Sequence, residues 1–180
     1  MEDTNNIEDV QAYISCVSLP STIDELMDLA EHDELFSVEI VLKAEEYEYL
    51  EWTAPRWARK GDIVLFYFSK TANVKLSRLR RDLREDTYYN LCQKELLNKW
   101  IDKANTLFKE YGGKILAVGV LLSDPYYIGD SEFDNPNITH YNMNIWADIG
   151  YVNVFEDMLH INECDFVEIA RQKQCTPLFG

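Results

Sequence analysis

The stretch Trp57–Thr71, WARKGDIVLFYFSKT, constrains the chain most. Gly61-Asp62 is a turn signal, and the apolar run Ile63–Phe68 behind it reads as a strand. That strand carries Tyr67, Ser69 and Lys70 to one end. KLSRLRRDLR, from Lys75 to Arg84, comes next. Its spacing predicts a helix over 73–85, with Leu76, Leu79 and Leu83 inside about one-sixth of a turn. Lys75, Arg78, Arg80, Arg81 and Arg84 spread over the rest. The leucines must bury and the cations must stay in water, so the helix packs leucine side down. The architecture expected is α+β.

Charge is unevenly placed. The 180-residue chain has a net charge of −15, which taken alone argues against a nucleic-acid partner. Residues 1–54, however, balance at −14, residues 55–114 at +7 and residues 115–180 at −8. Binding follows local potential, so a cationic middle third can be a footprint inside an acidic protein. At 47% hydrophobic residues the chain can build one sizeable core. The N-terminus MEDTNNIEDV is acidic and polar, and no apolar run approaches ~20 residues, so neither a signal peptide nor a membrane span is expected. Cys16, Cys92, Cys164 and Cys175 are scattered without a C-x-x-C pair, and read as reduced thiols of a cytoplasmic protein.

Along the chain, Ala12–Leu19 has strand character and Pro20 stops it. Thr22-x-x-Glu25 is a capping box for a short amphipathic helix bearing Ile23, Leu26, Met27 and Ala30. Phe36–Leu42 alternates like a strand, and 45–52 fits either a strand edge or a loop. A long helix is expected over 88–111, ended by Gly112-Gly113, and a strand over 114–122. A polar loop over 129–141 precedes strands expected near 143–147, 150–155 and 164–170. Short strands at both ends with helices between them predict a single domain built as a small β-barrel with flanking helices and a helical insertion at 75–111.

Catalytic and metal signatures are weak. Asp130, Glu132 and Asp134 alternate like a Ca²⁺ loop, but Asn135 stands where glycine is needed and Tyr141 where the closing glutamate would be. We read a solvated loop and no metal or cofactor. No nucleophile–base set or phosphate-binding glycine motif is legible, so a non-catalytic role is expected. A base taken out of its stack needs aromatic faces and one or two edge-reading groups. Trp57, Tyr67, Ser69, Trp146 and Asp148 supply those types if their strands are neighbours.

Several segments together resemble the EVE branch of the PUA-like superfamily. They are Trp57 with Gly61-Asp62-Ile63-Val64 and Tyr67-x-Ser69, then Gly113–Gly119 (GKILAVG), then Trp146-Ala147-Asp148-Ile149. The closing run Phe166–Gly180 is similar to the end of PUA-like domains that precede HNH nuclease modules in bacterial proteins. The resemblance covers about residues 52–180. It implies a small β-barrel that recognises nucleic acid without catalysis, in a bacterial or phage defence setting; our own reading of the partner is DNA rather than RNA. Trp57, Tyr67, Ser69, Trp146 and Asp148 would then form a pocket for a modified or flipped base. Lys70, Lys75, Arg78, Arg80, Arg81 and Arg84 are the candidates for phosphate contact. Residues 1–51, strongly acidic, depart from the family pattern, as does the helical insertion. No HNH residues occur within 1–180, so a nuclease module would lie beyond the chain or on a partner protein. The rival expectation is an acidic protein-interaction module or DNA mimic that inhibits a nucleic-acid-binding partner. A small-ligand binder using the same pocket is a third.

Overall fold

The computed structural model describes residues 9–127 and 145–160. Six strands and four helices follow in the order β1 (Ala12–Val17), α1 (Ile23–Glu31), α2 (Ser37–Leu42), β2 (Leu50–Thr53), β3 (Ile63–Phe68), α3 (Ala72–Glu85), α4 (Leu91–Tyr111), β4 (Lys114–Leu121), β5 (Tyr126–Tyr127) and β6 (Ile145–His160). The strands form one sheet in the order β1-β3-β4-β6-β2, with β5 pairing with β6. β1 and β3 run parallel, Tyr13 beside Val64 and Val17 beside Phe68, and the other pairs are antiparallel. The sheet curls into a half-barrel. Its two end strands come within side-chain reach, for the indole N–H of Trp52 on β2 donates to Ser15 Oγ on β1 at 2.9 Å.

Alternation decides the inner face. Val64, Phe66 and Phe68 of β3 are buried beside Tyr13, Ser15 and Val17 of β1, whereas Ile63, Leu65 and Tyr67 are half-buried on the opposite face. Leu76, Leu79 and Leu83 of α3 are buried as their spacing requires, with Leu97, Trp100, Ile101 and Ala104 of α4. Phe108 of α4 meets Phe68 edge-on at 5.9 Å, anchoring the helical pair to the sheet. Thr22 caps α1 by accepting from the Glu25 amide at 3.2 Å, while the Glu25 carboxylate accepts from the Ser21 amide at 2.8 Å. The first bond satisfies an amide that the opening turn leaves open, and the second holds the residue before the cap.

Three expectations are corrected. Phe36–Leu42 is not a strand but the helix α2, because Glu39 accepts from the Phe36 amide at 2.9 Å and Val38 and Val41 bury together, three residues apart. The long helix starts at Leu91 rather than 88. Asp86 holds the amides of Tyr88 and Tyr89 at 3.0 and 2.8 Å in a loop, and Asn90 and Gln93 then exchange a capping box. The strands expected near 143–147 and 150–155 fall on one strand, β6 (Ile145–His160), whose pairing with β4 shifts register between Gly150 and Asn153 and again between Val154 and Leu159. The loop expected at 129–141 and the strand at 164–170 lie outside the described residues.

Candidate functional site

The structure does not gather the five expected pocket residues around one cavity. Trp57, in the β2–β3 loop, packs edge-on against Tyr13 with ring centroids 5.8 Å apart. Tyr13 lies beside Val64, near the start of β3, whereas Ser69 follows its end. Five residues of strand, ~17 Å, separate those two levels, more than one base can bridge. Ser69 shares a 2.8 Å hydrogen bond with Thr71 Oγ1 and accepts from the Thr71 amide, so it shapes the entry to α3. Asp148 accepts from the Tyr126 hydroxyl at 2.6 Å, and its amide donates to Ser123 Oγ at 3.0 Å. That bond, followed by burial, pushes the Tyr126 phenol well above its ordinary pKa. Asp148 therefore pins the β4–β5 turn. Tyr67 stands half-buried on the face of β3 away from the core.

Trp146 alone of the five borders a groove, about 580 Å³ in volume, between the two end strands. Cys16, Ser18, Leu19 and Pro20 form one wall, and Glu51, Trp52 and Thr53 the other. Leu29 of α1 and Ile40 of α2 add to its lining. Trp52 is fixed there by its bond to Ser15 and by an edge-on contact with Phe66 at 5.4 Å. The charged lining residues are Glu25, Asp28 and Glu51, all carboxylates. Among the described residues, no set of His, Cys, Asp or Glu side chains is grouped to hold a metal ion.

The cations of α3 divide into two groups. Lys75 is half-buried, its ammonium donating to Ser18 Oγ at 2.6 Å and to the Leu19 carbonyl at 3.1 Å. Burial lowers its pKa, with the nearby Glu25 pulling the other way. Lys75 thus ties the helix to the groove wall. Lys70 is exposed, and its alkyl chain lies against Gly113. Arg78, Arg80, Arg81 and Arg84 are all exposed, spread over the part of the helix outside the stripe of buried leucines. Arg81 pairs with Asp82 at 2.9 Å, and among the described residues the other three have no ion pair.

A second cationic surface escapes a reading of the sequence. Arg56, Trp57, Arg59 and Lys60 are exposed together in the β2–β3 loop. The Arg56 guanidinium sits over the ring of Tyr127, 5.8 Å from its centroid, and Tyr127 is itself exposed. The loop is held firmly. Buried Asp62 accepts from the Arg59 amide at 2.8 Å and from the Gln11 amide at 3.0 Å. Lys60 N donates to Asp124 at 2.9 Å, and Gly61, at φ +93°, donates to the Leu121 carbonyl. Beneath Trp57, the Tyr13 hydroxyl is buried with no hydrogen-bond partner among the described residues. Burial, then the charge of Asp62, raises the pKa of that phenol strongly. The charge count over 55–114 was the available signal for the loop. Its pairing with Tyr127, some seventy residues later, is visible only in space.

No family model, curated protein or solved structure matches the chain. Among the described residues, no helix is long and apolar enough to cross a membrane.

Proposed function

We propose that this protein is a non-catalytic nucleic-acid recognition module of the PUA/EVE-like kind, binding DNA rather than RNA. The observation that carries the reading is the exposed arginine arc of α3, in which Arg78, Arg80 and Arg84 have no carboxylate partner among the described residues. Arginine forks suit phosphate oxygens, and a rigid helix holds them in fixed register. The β2–β3 loop adds what a displaced base needs. Trp57 is 46% exposed and backed by Tyr13, with Arg56, Arg59 and Lys60 beside it. A modified or flipped base stacks on Trp57 while the cations hold its phosphates.

The test is a titration of modified and unmodified DNA, duplex and single-stranded, against the wild type and Trp57→Ala. Stacking on one aromatic is worth roughly 1–3 kcal/mol, so Trp57→Ala weakens binding about five- to a hundredfold with little change in melting temperature. Unchanged affinity removes Trp57 from the interface.

A second reading is favoured by the acidic surface. Glu45, Glu46, Glu48 and Glu51 are exposed within a single short segment. Such a face suits a basic protein partner, as an interaction module or DNA mimic requires.

A further inference from the structure

We propose that the groove between β1 and β2 docks an extended, lysine- or arginine-bearing segment of a partner protein. This goes beyond the nucleic-acid reading and uses a different surface from the arginine arc. Three features of the groove select such a segment.

The first is charge. Glu25, Asp28 and Glu51 line the groove with no lysine or arginine among the lining residues. Lys75 is engaged with Ser18 and Leu19 of the wall, and His32 Nδ1 lies 3.8 Å from the Asp28 carboxylate. Carboxylates accept and never donate when ionised, so the occupant must bring donors and positive charge. A phosphate backbone entering here would meet three carboxylates, against one ammonium already engaged at the wall.

The second feature is aromatic. Trp52 and Trp146 both border the groove, and an indole face attracts an ammonium or guanidinium that loses part of its water. Leu19, Leu29, Leu35 and Ile40 supply apolar wall for the methylene stem of a lysine or arginine.

The third is backbone. β1 pairs only with β3 and β2 only with β6, so among the described residues each leaves one edge without a strand partner. Both strands border the groove, at Cys16 and at Glu51–Thr53. An extended peptide finds main-chain donors and acceptors there, as in strand addition to a sheet edge. A compact cation or a lone base reaches one or two of those groups, whereas an extended peptide pairs with a row of them.

The test is tryptophan fluorescence and calorimetric titration with an octapeptide of alternating Lys and Thr, with a Glu/Thr octapeptide and spermine as comparison probes. The Lys/Thr peptide binds the wild type more tightly than either. The triple variant Glu25→Gln, Asp28→Asn, Glu51→Gln weakens it roughly tenfold, since three partly screened pairs are lost together. Gln at position 25 keeps the capping group. A control, Glu95→Gln, Asp102→Asn, Glu156→Gln, removes the same charge from exposed sites elsewhere and changes affinity less than threefold. Equal losses in the two triples mean diffuse attraction to an acidic protein, and overturn the proposal. Spermine matching the peptide, or an oligonucleotide competing it out of the groove, overturns it as well, as does no peptide binding at all. None of these outcomes depends on DNA binding at α3, which is read separately in the same samples.

Discussion

Trp52→Phe tests how the half-barrel holds its two ends together. The substitution deletes the 2.9 Å bond from the indole N–H to Ser15 Oγ while keeping an aromatic ring near Phe66. Ser15 is only 9% exposed, so its hydroxyl loses a partner in a place water enters poorly. A neutral hydrogen bond contributes about 0.5–1.5 kcal/mol net, and a stranded buried hydroxyl costs about 1–3. The smaller ring removes further packing of about 1 kcal/mol. These terms overlap, and the expected loss is about 2–3 kcal/mol. For a chain this size that corresponds to roughly 4–12 °C in melting temperature. Urea unfolding of Trp52→Phe, Ser15→Ala and the double variant measures both the loss and the coupling, with the slope checked for constancy. The double variant should be less destabilised than the sum of the singles by about 1 kcal/mol. Additive singles, or a Trp52→Phe loss below about 0.5 kcal/mol, would show that this bond does not tie the end strands.

Tyr151 sits in β6 at φ +49° with its side chain 84% exposed, so the ring returns little for the backbone strain. Tyr151→Gly should raise stability by about 0.5–1 kcal/mol and Tyr151→Val should lower it, since a β-branched residue tolerates this region worst; chemical denaturation checks both, and a destabilised glycine variant would refute the strain. Tyr89 donates to Asp24 at 2.6 Å, and that bond, ahead of burial, pushes its pKa up to about 12. A raised pKa means a contribution complete below the ordinary tyrosine value and lost as pH climbs from about 10 towards 12. Ultraviolet titration should therefore show several phenols titrating late, Tyr13 and Tyr126 among them, and one fewer in Tyr89→Phe; an unchanged late fraction in the variant would contradict the bond.

What the sequence revealed depended on how local the signal was. The β3 strand, the leucine stripe of α3 and the Thr22 cap are each written within a few neighbouring residues, and they fold accordingly. Ser37–Leu42 misleads because six residues with valine and isoleucine satisfy a two-residue alternation and a helical i, i+3 pair equally well. The Glu39 contact to the Phe36 amide decides between them. β6 misleads because a strand whose register shifts along its length looks, in one dimension, like two strands.

The candidate site was harder still. Trp146 reaches the groove through its register beside Thr53, and Trp52 through curling of the sheet, and neither can be counted along a chain. Asp148, which offers an edge-reading carboxylate in sequence, is occupied by Tyr126 in space. Lys75 has the right charge for phosphate but is claimed by Ser18 and Leu19. The arginines of α3 were legible because their exposure follows from the burial of the leucines between them.

The most direct measurement of the central claim is DNA affinity as a function of salt for the wild type and for a variant with Arg78, Arg80, Arg81 and Arg84 all changed to alanine. Each phosphate contact contributes about 0.9 to the slope of log K against log salt on duplex DNA. If the arc is the interface, the variant binds more weakly at every salt concentration and its slope falls by roughly two to four units. The melting temperature should hold, because the four side chains are exposed. The same affinity and slope in both proteins would contradict the account.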